Sequence, residues 1–271
     1  MAKKLNYEDY CDYFALKCKI CYGQRYLLIN DVWTSCICQH TATVKWRLEE
    51  FDVHPPELKY KTWDDFIGLS IDGNHQLTDS SFVSAKRKAL KYCFGSEEMS
   101  VIENRNKTLC VQNHLDDGQN FIISGPKHTG KTLIAVLIIK EVAYASRFFN
   151  LNLGFKCIKS NALCNAARWD NHKQIDHALL DELSEIEFLV IDEVCLPEGG
   201  HNTPPDVVAL NNLFDQRVQG KLPTVITCNN GIFLKTQDRH LNKSFTSFWG
   251  NSFASLMMMN SNVFVDLEIH G

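Results

Sequence analysis

The stretch ISGPKHTGKT, Ile123 to Thr132, decides how this 271-residue chain is read. Gly125-Pro126-Lys127-His128-Thr129-Gly130-Lys131-Thr132 fits G-x-x-x-x-G-K-[ST] at every position. The glycines let the backbone curl so that its N–H groups converge on phosphate oxygens, and the whole run is expected to line an ATP site. Lys131 has the reach for the β- and γ-phosphates, and the Thr132 hydroxyl is placed for Mg²⁺. His128 sits at a variable position and is given no role beyond lining the loop. The flanks supply the context the pattern needs. QNFIISG reads as a buried strand ending at Gly125, and Lys131 to about Phe149 reads as an apolar helix that aims its positive end at the anion.

Downstream, FLVIDEV reads as a strand apolar on both faces, as in a parallel sheet. It ends in Asp192 and Glu193. A carboxylate at Asp192 suits the Mg²⁺ water shell, and Glu193 suits activation of an attacking water. That pair favours hydrolysis over transfer to a small-molecule acceptor. LPTVITCNN is a further strand, ending in Asn229 and Asn230, and an amide at Asn229 is placed to feel a γ-phosphate.

Working outward, strands and helices alternate from about residue 81, which implies a parallel sheet covered on both faces. The expected elements include a helix over SAKRKALKYCF capped by Ser84, a strand over FKCIKS, and helices from Asn161 to Trp169 and Ile175 to Ser184. A helix opening at Thr203-Pro204-Pro205, one helical segment over LNKSFTSFWGNSFASLMMM and a last strand over VFVDLEI complete the set. Residues 81–271 are read as the ATPase domain, 49–80 as a connector and 1–48 as a separate N-terminal unit. Net charge is −4 and the pI is about 6.2, which excludes a binder coated in positive charge. No secretory h-region or membrane-length apolar run is seen, so a soluble cytoplasmic protein without membrane contact is expected.

The chain has 11 cysteines. Cys18, Cys21, Cys36 and Cys38 form two close pairs, a set suited to tetrahedral Zn²⁺, and GQRYLLINDVWTS between them reads as a hairpin. The expected unit resembles a zinc ribbon. The second pair is unusually tight, so His40 is an alternative ligand. The remaining cysteines are read as small buried hydrophobes. A closed four-ligand site is structural, adding folding energy that so short a segment lacks. Balanced charge in this unit favours a protein partner over DNA. Two other segments are weighed as DNA contacts. Lys86, Arg87, Lys88 and Lys91 form a basic run, more simply a solvated helix face. Lys235, Arg239, His240 and Lys243 precede Phe245, Phe248 and Trp249, a mixture that suits single strands or a core.

From about residue 54 onward the chain resembles the AAA+ ATPases that load replicative helicases, the DnaC and DnaI type, and the related IstB-type transposition helpers. HPPELKYKTWDDF, FIISGPKHTGKT, GFKCIKSNALCNAARW, FLVIDEV and PTVITCNN carry the likeness. The resemblance implies a strand order of 5-1-4-3-2, a minimal lid and Asn229 as γ-phosphate sensor. It also implies a hexameric replicative helicase as partner, docked through the zinc unit, with single-stranded DNA as the destination and self-association through the ATPase domain. The chain departs from that family where an arginine is expected before the last strand. Leu256 stands there, Ser252 stands where a second basic residue is usual, and no Lys or Arg follows Lys243. Arg217, Arg239 and Lys243 are the remaining cations to weigh as substitutes. Slow intrinsic hydrolysis is expected. Two other readings stay open: a transposition helper that binds duplex DNA and recruits a transposase, and a nucleotide-gated adaptor with little hydrolysis.

Overall fold

The computed structural model describes residues 7–29, 31–36, 38–39, 42, 57–58, 61–66, 79–94, 117–148, 153–168, 174–195, 204–229, 233–235, 240–241, 243–259 and 261–267. His40, Arg239, Asn230, Cys110, Pro55 and Pro56 lie outside that set.

Near the N-terminus, helix α1 (Tyr7–Leu16) packs beside a hairpin of β1 (Tyr26–Ile29) and β2 (Val32–Ser35). The strands pair antiparallel with Ile29 opposite Val32, which leaves a two-residue turn. Such a turn needs left-handed backbone to match the strand twist, and Asp31 supplies φ 61°. Little is buried here. Ala15, Cys21, Cys36 and Cys38 form the small core, with Phe14, Cys18 and Leu27 against it.

The larger unit is built on a five-stranded sheet of β3 (Phe121–Gly125), β4 (Phe155–Lys159), β5 (Phe188–Val194), β6 (Thr224–Asn229) and β9 (Val263–Asp266). Its order is β4-β5-β6-β3-β9, with every pair parallel. Counted within this sheet, that is the expected order 5-1-4-3-2. The central strands are buried on both faces, as their unbroken Ile, Val and Phe runs require.

One face packs against α2 (Asp79–Phe94) and α3 (Lys131–Phe148). The other packs against α4 (Ser160–Ala167), α5 (His177–Glu185), α6 (Pro204–Gln219), α7 (Lys243–Trp249) and α8 (Asn251–Met257). A minor antiparallel pair, β7 (Phe233–Lys235) with β8 (His240–Leu241), was not foreseen in the sequence. Among the described residues no helix is long and apolar enough to cross a membrane.

Several local expectations need correction. Helix α2 begins at Asp79, not after Ser84. Ser84 lies inside the helix, and Ser81 fixes the first turn by donating to the Asp266 carbonyl at 3.0 Å. The single helix expected over residues 241–259 is two helices, broken at Gly250. Gly250 adopts φ 92°, and a Cβ there would lie 2.4 Å from Asn211 Oδ1. That same oxygen accepts the Ser252 N–H at 3.0 Å, so a side chain on α6 starts α8 and forces the break.

Phe248 and Trp249 are not a stacking surface. Both are buried in the core, and the Trp249 indole donates to the Cys195 carbonyl at 3.2 Å. In the basic run, Lys86 donates to the Trp63 carbonyl at 3.3 Å and Lys88 to the Phe264 carbonyl at 2.7 Å. Those two lysines hold backbone carbonyls, while Arg87, Lys88 and Lys91 remain on the exposed face of the helix. Leu256 is buried among the helices of its face, so that position holds packing, not a cation offered to a neighbour.

Arg217 is also withdrawn as a substitute for the missing arginine. Its side chain has no solvent exposure. Nε donates to Thr224 Oγ1 at 3.0 Å, and Nη1 donates to the Leu183 and Ile186 carbonyls, both at 2.8 Å. Nη2 donates to the Leu222 and Pro223 carbonyls at 3.3 and 2.8 Å. These bonds occupy the donor fork. Burial lowers the pKa to about 9 against the opposing charge of Glu187, and the group stays charged at neutral pH. Arg217 thus joins the ends of α5 and α6 to the start of β6. Replacing it with Met should cost about 3 kcal/mol of unfolding free energy or more, because the carbonyls lose their donor. Nucleotide affinity should not change. Denaturant unfolding beside a nucleotide titration checks both outcomes.

Candidate nucleotide site and metal centre

All the strands of the main sheet run the same way, so the residues at their C-terminal ends gather at one edge. Gly125 ends β3 and pairs with Asn229 at the end of β6. Lys159 at the end of β4 pairs with Asp192 on β5. Side chains alternate along a strand, and Val190 and Val225 pack in the core on the α3 face. Two residues on, Asp192 and Thr227 take that same face at the strand ends, beside the start of α3.

Between them lies a cleft of about 400 Å³. Lys127, His128, Thr129, Gly130, Lys131, Thr132, Glu193, Thr227 and Asn229 line it, together with Leu58 from the lead-in segment. Gly125 and Pro126 belong to the same loop through hydrogen bonds. Thr129 Oγ1 donates to the Pro126 carbonyl at 2.9 Å. The Lys131 ammonium donates to the Gly125 carbonyl at 3.0 Å and also to that of Pro126.

The loop's shape depends on its glycines. Gly125 adopts φ 151°, and a Cβ there would meet the Leu267 carbonyl oxygen at 2.7 Å. Gly130 adopts φ 88° and backs directly onto the Phe66 ring, 3.2 Å from where a Cβ would stand. His128 also takes a left-handed φ, 65°, so it turns the loop as well as lining it. The lead-in therefore forms the outer wall of the loop. Leu58, Trp63 and Phe66 are buried with the main core, and the Trp63 indole donates to Glu141 on α3 at 3.3 Å.

The acidic end of β5 is held from both sides. Asp192 is only 3% exposed. Thr132 Oγ1 donates to Asp192 Oδ1 at 2.9 Å and lies 3.2 Å from Oδ2. Thr227 Oγ1 donates to Oδ1 at 2.5 Å. Burial raises the Asp192 pKa, while the two hydroxyls pull it down. Burial likewise pushes the Lys131 ammonium down, opposed by Cys228, Asp192 and Glu193 nearby.

Glu193 stands in a left-handed conformation, φ 61°, where the β5–β6 register shifts. For a residue with a Cβ such a backbone is strained, and it persists only when the surroundings fix it. Here they do. The Glu193 N–H donates to Thr227 Oγ1 at 2.8 Å, and its carbonyl accepts from Ser160 Oγ at 2.7 Å. Its exposed carboxylate accepts from the Lys159 ammonium at 3.0 Å. Lys159, Ser160 and Thr227 are the residues the sequence reading missed. Thr227 had one available signal, its place two residues before Asn229 on the same face of β6.

The residues fit the expected ligands. The glycine-walled loop leaves room for phosphate, and the first N–H groups of α3 lack intrahelical partners at that point. Thr132 and Asp192 offer an oxygen donor set in direct contact, as a hard divalent cation requires.

The N-terminal unit holds the second site. The sulfurs of Cys18, Cys21, Cys36 and Cys38 all lie within 4.8 Å of one another. Cys18 to Cys36 and Cys21 to Cys38 are each 3.6 Å. Zinc–sulfur bonds of about 2.3 Å in a tetrahedron place sulfurs about 3.8 Å apart, so the cage has the right size. No cysteine is paired in a disulfide among the described residues. N–H groups of Cys21 and Ile20 lower the Cys18 thiol to about 7, while burial pushes Cys38 up to about 12. Gln39 braces the cage by donating to Cys38 Sγ at 3.5 Å and to the Cys11 carbonyl at 3.3 Å.

No protein-family model and no curated protein matches the sequence. Solved structures do. A structure of DnaI is similar at 16% identity and TM-score 0.48, over 81% of this chain and 96% of that one. The DnaC helicase loader is similar at 16% identity and TM-score 0.42, over 62% of this chain and 91% of its own. A DNA replication initiation factor is similar at 12% identity and TM-score 0.41, over 61% of this chain but only 46% of that one. Likeness of this degree carries no functional weight, and strand order and side chains must carry the reading instead.

The metal centre gives a direct test. The purified chain should hold one zinc ion, and Cys36→Ser should lose it and unfold the N-terminal unit. Because the ligands are thiolates, protons compete with the metal, and affinity should fall as pH is lowered. Metal analysis and a chelator titration at several pH values read both effects.

Proposed function

We propose that the chain is an ATP- and Mg²⁺-dependent switch that delivers a hexameric replicative helicase to single-stranded DNA. The observation that carries the nucleotide reading is the convergence of Lys131, Thr132, Glu193 and Asn229 on one cleft, with Asp192 bonded to Thr132 behind its wall. On this reading the loop from Gly125 to Thr132 holds the phosphates, with Lys131 turning from the loop carbonyls to the β- and γ-oxygens. Mg²⁺, when bound, neutralises developing phosphate charge. Thr132 and Asp192 hold it, Glu193 orients and deprotonates the attacking water, and Asn229 reads the γ-phosphate.

The helicase reading draws on the resemblance and on the surface of the N-terminal unit. Nine of the eleven large apolar side chains exposed among the described residues belong to it. Tyr26, Leu28 and Trp33 share the hairpin face opposite Leu27, which packs on the cysteines. Exposed apolar surface of this kind marks a docking face. Two of its cations, Arg25 and Lys17, are already engaged. Arg25 pairs with Glu8 at 2.7 Å and with Asp12, and Lys17 lies 4.0 Å over the Tyr13 ring. A protein partner suits that face better than a phosphate backbone, and zinc would hold it in shape.

A second reading, a nucleotide-gated adaptor with little hydrolysis, draws on two observations. The Glu193 carboxylate is engaged by Lys159 at the end of β4, and Leu256 offers no cation to a neighbour. Both favour slow turnover, below about one per second in the isolated protein.

Lys131→Ala should abolish nucleotide binding. Glu193→Gln should bind nucleotide normally while turnover drops about a hundredfold. If helicase delivery survives Glu193→Gln and fails with Lys131→Ala, the adaptor reading holds. Leu28→Ser with Trp33→Ser should cut capture of replicative helicase at least about tenfold without altering nucleotide affinity. Capture of a transposase on duplex DNA, with none of helicase, would replace the loader reading by the transposition helper.

A further inference from the structure

Thr227 stands between the two acids and belongs to neither the phosphate loop nor the β5 strand that carries them. It is fully buried and still lines the cleft. A hydroxyl has one proton to give and lone pairs to receive. Here the proton goes to Asp192 Oδ1 at 2.5 Å, and a lone pair receives the Glu193 N–H at 2.8 Å.

The second of those bonds has a structural cost and a geometric result. In a regular ladder, the N–H of a strand residue points to a backbone carbonyl of its neighbour. The β5–β6 register breaks between Ile191 and Val194, and the Glu193 N–H goes to the Thr227 side chain instead. Freed from the ladder, Glu193 turns left-handed at φ 61°. The same atom that turns Glu193 also orients the carboxylate of Asp192, which Thr132 contacts as well.

We propose that Thr227 is a positioning residue for the reaction: its hydroxyl sets the metal-side carboxylate and the water-activating glutamate in one fixed relation. This rests on the reading of the cleft as an ATP–Mg²⁺ site. Thr227 touches neither nucleotide nor water in this role and acts through Asp192 and Glu193. A side chain of equal shape without the hydroxyl leaves Asp192 held by Thr132 alone and removes the acceptor that holds the turn at Glu193. Loss should therefore appear in Mg²⁺ dependence and in the chemical step, and not in metal-free nucleotide binding.

The test uses the full chain with Thr227→Val and Thr227→Ser, measured against wild type and Lys131→Ala. A fluorescent ATP analogue is titrated in EDTA and then in rising Mg²⁺, and single-turnover hydrolysis is followed in parallel. In EDTA, Thr227→Val should bind within about twofold of wild type, while its Mg²⁺ half-saturation rises about tenfold and kcat falls about thirtyfold at little-changed KM. Thr227→Ser keeps the hydroxyl and should recover both to within about threefold. If Thr227→Val does not fold, Thr227→Ala carries the same expectations.

Wild-type Mg²⁺ dependence and kcat in Thr227→Val would overturn the inference while leaving the nucleotide reading intact. So would equal losses in Val and Ser variants that track their melting temperatures, since that pattern marks packing alone. A wild-type chain that binds the analogue no better than Lys131→Ala overturns both. A wild type that binds but does not hydrolyse leaves the Mg²⁺ half-saturation as the deciding readout.

Discussion

A carboxylate buried at the end of a sheet is the constraint on which the rest of the larger unit turns. Asp192 lies under the start of α3, where desolvation opposes its charge. Hydrogen bonds donated by Thr227 and Thr132 and the charge of Lys159 work against that burial. Each hydroxyl comes from a different element, so α3, β5 and β6 must meet in one register for the carboxylate to be tolerated. The strand order is what allows this. With β6 between β3 and β5, a hydroxyl on β6 stands beside the acid and an amide on β6 stands beside the phosphate loop. The cleft is the space left by that agreement.

Much of this was legible in the sequence, for a physical reason. The loop from Gly125 to Thr132 is a local structure set by local residues, and its strand and helix flanks were readable as such. The hairpin between the cysteine pairs and the cage they form were legible on the same grounds, because two short loops and a two-residue turn leave little freedom. The order of the strands came from the resemblance and not from any pattern of polarity.

What was missed depends on contacts distant in sequence. The break at Gly250 is made by Asn211, on another helix. Trp249 and Phe248 look like a stacking surface beside their basic neighbours until the helices fold over them. Arg217 sits in a polar last turn of α6 that gives no sign of burial, since its partners come from α5 and from the residues leading into β6. Thr227 is one threonine in an apolar strand, and its role appears only when β5 lies beside it. The N-terminal unit shows the opposite limit: its exposed apolar face is plain in the folded chain, and no single residue in the sequence distinguished Trp33 from a core tryptophan.

Arg217 and the cleft lie at opposite ends of the same strands. Asn120 and Thr224, near the starts of β3 and β6, join the guanidinium in a polar network remote from the phosphate loop; the Asn120 side-chain carbonyl accepts the Thr224 N–H at 2.9 Å, and its amide donates to Asn262 at 2.9 Å. Along the strand axis, one end is a clamp and the other a tool. Damage at the clamp lowers the abundance of working molecules and leaves each survivor's chemistry whole. On the proposed function, damage at the tool leaves intact but idle molecules, able to occupy a partner and block it. Two variants of equal severity in one sheet would thus differ in dominance when mixed with the unaltered chain.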